Sequence, residues 1–79
     1  MAYELYGSIR SGSLAVELTL AEIGVAYEVH AIDLRADAQR DAAYTLVNPQ
    51  QKLPALRTPE GDLLTESVAI LLTLDERHP

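Results

Sequence analysis

The chain has 79 residues, 48% of them hydrophobic and 23% charged, with no cysteine and a net charge of −6. That length holds one small domain near the lower limit for a self-sufficient core. The absence of cysteine excludes a disulfide, a thiolate metal site and dithiol redox catalysis, and the acidic balance argues against nucleic acid or an anionic membrane surface as partner.

Tyr3-Glu4-Leu5-Tyr6-Gly7 reads as a short strand. Gly7 to Ser13 carries two glycines and three serines and reads as a loop, with Ser11 or Ser13 placed to cap a helix. That helix is Leu14 to Ile23. Leu14, Leu18 and Ala21 form one face and Val16, Leu20 and Ile23 another, while only Glu17, Thr19 and Glu22 are polar, so burial on more than one side is expected. Gly24 stands where a helix ends. Ala26 to Leu34 reads as a second strand, with Tyr27, Val29 and Ala31 alternating against Glu28, His30 and Ile32. A helix between two strands predicts a right-handed parallel βαβ unit. Arg35 to Leu46 reads as a loop and a short helix at about Ala38–Leu46, stopped by Asn48-Pro49, because the residue before a proline resists the helical conformation.

Lys52-Leu53-Pro54-Ala55-Leu56 reaches an extended segment through a proline. Ala55-Leu56-Arg57 and Asp62-Leu63-Leu64 are expected to pair as a hairpin around Pro59 and Gly61. Thr65 is the expected cap of the last helix, with Glu66 in its first turn at the positive end of the helix dipole. Val68 to Leu74 is apolar almost all round, the pattern of a helix covered on both sides, and the polar run Asp75 to Pro79 is expected to end the domain. The order is therefore β-α-β-α-β-β-α. Surplus apolar surface on the first and last helices predicts a further covering element: a partner subunit, a second domain or both.

The hairpin places Pro54 at its start and Glu66-Ser67 just past its end. Backbone groups freed near the proline and the open N–H groups of the helix start then face one small anionic ligand. His30 and His78 match no metal-ligand spacing and read as surface residues, and no metal is expected. No apolar run is long enough to span a membrane, and Met1-Ala2-Tyr3-Glu4 shows no leader pattern, so a cytoplasmic setting is expected.

Four pieces carry a resemblance: Glu4-Leu5-Tyr6 with Ser11 after it, Asn48-Pro49, Lys52-Leu53-Pro54-Ala55-Leu56, and Leu64-Thr65-Glu66-Ser67-Val68-Ala69-Ile70-Leu71. Together they resemble the N-terminal domain of the cytosolic glutathione transferases, of a theta/beta-like bacterial type. The resemblance spans nearly the whole chain. It implies an α/β, thioredoxin-like fold with a four-stranded mixed sheet in the order 2-1-3-4, the last two strands antiparallel, and three helices. It also implies that residues 1–79 are the glutathione-binding domain of a longer, homodimeric enzyme whose C-terminal all-helical domain is absent from this chain. The isolated domain is then expected to turn over poorly, to expose apolar helix faces and to associate or be marginally stable.

The implied reaction is attack of the glutathione thiolate on an electrophilic small molecule or a peroxide. A free thiol has a pKa of roughly 8.5, and lowering it by two units requires about 2.7 kcal/mol of preferential stabilisation of the anion. One hydroxyl donor with a helix N-terminus behind it is of that strength. By the resemblance Ser11 takes this role, with Ser13 and Ser8 as rivals; read from composition alone, Ser11 and Ser13 are only loop and cap residues. Gly12 stands where cysteine-type members carry their cysteine, and Tyr6 is similar to the family's strand tyrosine rather than to a catalytic one. The resemblance further implies a cis Leu53–Pro54 bond that turns the Leu53 backbone toward the cysteinyl unit of glutathione. Ser67 would hold the γ-glutamyl carboxylate and Glu66 its amino group. Lys52, with Gln39 and Arg40, would reach the glycyl carboxylate, Gln51 being a weaker candidate, and Arg10 would add positive potential. The alternative is a non-catalytic module of the same fold used for dimerisation or partner docking; glutaredoxin-like thiol exchange lacks its cysteine.

Overall fold

The computed structural model of the chain describes residues 2–8, 13–32 and 42–79. Four strands and three helices follow one another as β1 (Tyr3–Gly7), α1 (Ser13–Ile23), β2 (Tyr27–Ala31), α2 (Ala42–Val47), β3 (Ala55–Arg57), β4 (Leu63–Thr65) and α3 (Ser67–Arg77). The sheet order is β2-β1-β3-β4. β1 runs parallel to β2, Tyr3 beside Tyr27 through Gly7 beside Ala31. β3 is antiparallel to both β1 and β4. This is the mixed four-stranded, thioredoxin-like arrangement expected from the sequence.

Strand alternation divides the side chains between two layers. Tyr3 and Leu5 of β1 and Leu56 of β3 point to one side, where Val16 and Leu20 of α1 and Ile70 and Leu74 of α3 close over them. Leu5, Val16, Leu20, Leu56, Ile70 and Leu74 are completely buried. Tyr6 and Ala55 point to the other side and meet Tyr44 of α2 in a smaller cluster, edged by Ile32, Val47, Leu53 and Leu63. Gly24, at φ 85°, closes α1 as expected, its N–H donating to the Leu20 and Ala21 carbonyls.

Several boundaries differ from the sequence reading. β4 begins at Leu63, not Asp62, because Asp62 is spent on the turn: its carbonyl accepts from Thr58 N–H (2.8 Å) and its own N–H donates to Thr58 Oγ1 (3.1 Å). Gly61, at φ 99°, supplies the positive φ of that turn. α3 starts one residue later than expected. Thr65 is the last residue of β4, so Glu66 takes the cap position rather than the first turn. At its other end α3 runs on through the polar residues to Arg77, whose guanidinium lies 3.1 Å from Glu60. β2 covers Tyr27–Ala31, without Ala26 and Ile32, while positions 33–34 of the expected strand lie outside the described residues. α2 reaches Val47, while positions 38–41 of the expected helix lie outside the described residues.

α1 and α3 each bury one stripe and expose another. Leu14 and Leu18 keep 61% of their surface, Val68 67% and Leu72 65%. Both helices thus carry the uncovered apolar residues that their sequences predicted. Among the described residues no helix is long and apolar enough to cross a membrane.

Candidate functional site

Two segments converge on one cleft of about 410 Å³, lined by Gln50, Lys52, Leu53, Pro54, Thr65 and Glu66. The β3–β4 hairpin causes this convergence. Its register sets Ala55 opposite Thr65, so the residues just before β3 and just after β4 come out on the same edge. Lys52, Leu53, Pro54 and Glu66, singled out from the sequence, are thereby brought together. Ser67 follows Glu66 as the first residue of α3 and is half-buried, outside the cleft lining.

The Leu53–Pro54 peptide bond is cis. Among the described residues neither the N–H nor the C=O of Leu53 has a hydrogen-bond partner. A residue with both backbone groups open at the rim of a cleft can pair with an extended ligand backbone as an added strand would.

The turn that presents Leu53 is held from beneath. The Lys52 carbonyl accepts two hydrogen bonds, from the Tyr44 hydroxyl at 2.6 Å and from Asn48 Nδ2 at 3.1 Å. Asn48 Oδ1 accepts from Gln50 N–H at 3.1 Å, and the Asn48 carbonyl accepts from Gln51 N–H at 2.9 Å. Asn48 is 2% exposed, so these bonds satisfy a side-chain amide that is itself buried. Tyr44 is likewise buried, and burial pushes its phenol above the ordinary value, an effect opposed by the Asn48 side chain. The carbonyl of Lys52 is therefore structural, while its exposed side chain is free to reach the cleft.

Two residues beside the cleft have unusual backbones. Gln51 has φ 58° and Glu66 φ 67° with ψ 124°. They are the non-glycine residues of positive φ among those described. Such a conformation costs on the order of 1–3 kcal/mol and persists where the surroundings impose it. At Glu66 its effect is concrete. The Glu66 carbonyl accepts the first helical bond, from Ile70 N–H at 2.9 Å, yet its side chain makes no capping bond and is exposed. The first N–H groups of α3 are left open toward a ligand.

Ser13 is the first residue of α1 and is buried, its hydroxyl donating to the Ser8 carbonyl at 2.7 Å. That proton is committed to fastening the β1–α1 connection. Ser11, Arg10, Gln39 and Arg40 lie outside the described residues. Tyr6 stacks on His30, with ring centroids 4.7 Å apart, and leans on Tyr44 at 5.8 Å.

Sequence reasoning missed Tyr44 and Asn48, the two supports of the turn. Asn48-Pro49 was legible as a helix stop and as a piece of the family resemblance, not as a support of the turn. An asparagine there also carries the signature of a side chain that folds onto its own backbone two residues on, and this is the bond it makes to Gln50. The histidines are also less isolated than their spacing suggested. His78 shares a 2.9 Å hydrogen bond with Tyr3, and His30 lies between two glutamates. Pairing of β1 with β2 brings His30 to Glu4, and packing of α3 against β1 brings His78 to Tyr3, from distant points in the chain.

Comparison with known proteins agrees with this geometry. A family described as glutathione S-transferase, N-terminal domain, matches residues 12–77. The maleylacetoacetate isomerase of Pseudomonas aeruginosa is 40% identical over 79 residues, covering 96% of this chain and 37% of the relative. The theta-1 glutathione S-transferase of Bos taurus is 38% identical over 80 residues, covering 99% and 32%. Among solved structures, a glutathione transferase homolog from Sulfitobacter with bound glutathione superposes with a TM-score of 0.89 at 28% identity, over 99% of this chain and 38% of that one. The chain thus spans about a third of the length of the curated relatives it matches.

Proposed function

This chain belongs to the glutathione S-transferase N-terminal domain family, and on that premise we propose that it is the glutathione-binding domain of a longer glutathione-dependent enzyme. The observation that carries the reading is the cleft in which the open Leu53 amide faces Glu66 at the uncapped start of α3. The Leu53 N–H and C=O pair with the cysteinyl backbone of glutathione. The Ser67 hydroxyl and the first N–H groups of α3 take the γ-glutamyl carboxylate, and Glu66 takes the amino group. Lys52, with Gln39 and Arg40, supplies positive charge to the glycyl carboxylate. Each charge on the ligand thus meets its complement, which lets a protein of net charge −6 hold an anionic tripeptide.

In this reading Ser11 donates a hydrogen bond to the glutathione sulfur and favours its thiolate. Support comes from Ser13, whose proton is directed at the Ser8 carbonyl and so is engaged elsewhere. The thiolate attacks an electrophilic carbon, or a peroxide oxygen, in a pocket completed by the helical domain that the family carries, and the working unit is a homodimer. The Pseudomonas aeruginosa relative favours a second chemistry at the same site. The thiolate adds to a double bond conjugated with a carbonyl, the resulting enolate permits rotation about the former double bond, and expulsion of the thiolate returns the isomerised product.

Calorimetric titration with glutathione, beside the Ser67→Ala variant, tests the site. The native chain is expected to bind one equivalent. Loss of a hydrogen bond to a carboxylate, worth about 1.5–3 kcal/mol, weakens the variant by about tenfold or more. If the folded chain and the full-length protein both fail to bind glutathione, the site assignment is wrong and a non-catalytic docking role takes its place.

A further inference from the structure

On the α2 side of the sheet, away from the cleft, Glu4, Glu28 and His30 form a cluster whose ligand atoms all lie within 4.8 Å of one another. His30 Nε2 is 3.3 Å from Glu4 Oε1 and 4.0 Å from Glu28 Oε2. We propose that these three side chains form a binding site for a single divalent transition-metal ion of the zinc or cobalt class, clamping the edge strand β2 to β1.

The placement is set by backbone register. Glu4 and Glu28 are direct partners across the parallel β1–β2 pair. His30 is two residues beyond Glu28 and so shares its face. Two carboxylates directly opposite on adjacent strands repel each other, an arrangement that costs stability unless a positive charge sits between them. Arg57 stands opposite Glu4 on β3 but makes no ion pair with it among the described residues, so both carboxylates remain available.

The imidazole supplies an independent observation. The His30 side chain is 41% exposed, yet its Nε2 atom is enclosed and has no hydrogen bond. The 3.3 Å approach to Glu4 is therefore proximity of two donor atoms rather than an aligned bond. Stacking on Tyr6, within 15° of parallel, fixes the ring plane and aims Nε2 at the carboxylates. A zinc ion bound at about 2.1 Å by nitrogen and oxygen ligands needs donor atoms about 3.4 Å apart in tetrahedral geometry. The two histidine–glutamate separations bracket that value, and side-chain rotation must draw in the cluster as a whole, whose ligand atoms span up to 4.8 Å. The donor set, one imidazole and two carboxylates, suits zinc, cobalt and nickel better than magnesium, which favours an all-oxygen shell. The site faces solvent, so water fills the remaining positions.

The test uses the untagged chain stripped with a chelator and titrated with Co²⁺ by visible absorption and with Zn²⁺ by calorimetry. One ion per chain is expected, with a rise of several degrees in melting temperature. His30→Gln and Glu28→Gln should each weaken binding at least tenfold, whereas His78→Gln should not. Both site variants should still unfold cooperatively in chelator, with no metal-dependent rise in melting temperature, and should keep the native affinity for glutathione, which separates this proposal from that of the cleft. Absence of saturable binding, or binding undiminished in His30→Gln, overturns it.

Discussion

On the α1–α3 side of the sheet the core is aliphatic apart from Tyr3, and Leu5, Val16, Leu20, Leu56, Ile70 and Leu74 are wholly buried. On the α2 side the buried cluster is Tyr6, Tyr44 and Ala55, and from there outward the structure is held by hydrogen bonds, from Tyr44 and Asn48 to Lys52 and from Gln50 to Asn48. The first side gains its free energy from area removed from water, which is large and nearly indifferent to small displacements. The second gains less but has directions and distances. A ligand that reads backbone groups needs the second kind, and the cleft is built beside it.

Breaking each side should have opposite signatures. Leu56→Ala, at a fully buried position on a central strand, should cost about 2–5 kcal/mol. For so small a domain that is most of its stability, and circular-dichroism melting should show no cooperative transition. Asn48→Ala removes one donor from the Lys52 carbonyl and the acceptor of Gln50 N–H, for about 1–3 kcal/mol. The folded fraction should survive in a melting experiment while affinity for glutathione falls sharply; equal losses of both would erase the contrast between the two sides.

Alkaline pH sharpens the same comparison. Burial pushes the phenols of Tyr6 and Tyr44 above their ordinary value near 10, with Glu4 adding to the effect at Tyr6. The unfolded chain therefore releases these protons first. The contribution to stability is complete below pH 10 and is lost as pH rises through the raised native values. Denaturant unfolding at stepped pH should show this slope, and Tyr44→Phe should flatten it. The smallest effect is expected on the outer faces of α1 and α3. Leu18→Gln and Leu72→Gln, at exposed positions, should change stability by no more than about 0.5 kcal/mol. Sedimentation velocity should nevertheless show weaker self-association.

The order of elements was legible because each has a local cause: alternation in β1 and β2, Gly24 after α1, and Pro59 with Gly61 in the hairpin. So was the meeting of Lys52, Leu53 and Pro54 with Glu66, since a hairpin of known register must bring its two ends together. Three features were not legible. Thr65 was a reasonable cap until pairing with Ala55 kept it in the sheet. The positive φ at Gln51 and Glu66 has no compositional marker, because neither residue is one that adopts it freely. The Glu4–His30 approach arises from strands paired across more than twenty positions of sequence, beyond the reach of any local pattern.

The backbone of Glu66 has a consequence for how this domain can change. A glycine there would escape the Cβ part of the penalty of φ 67°, so Glu66→Gly should fold at least as well as the native chain. It would also delete the carboxylate proposed to meet the ligand's amino group. Selection for robustness and selection for recognition therefore pull this position in opposite directions. Among laboratory-evolved variants chosen only for heat resistance, glycine should accumulate at residue 66. Its recurrence there would trace the cost that recognition imposes on the fold.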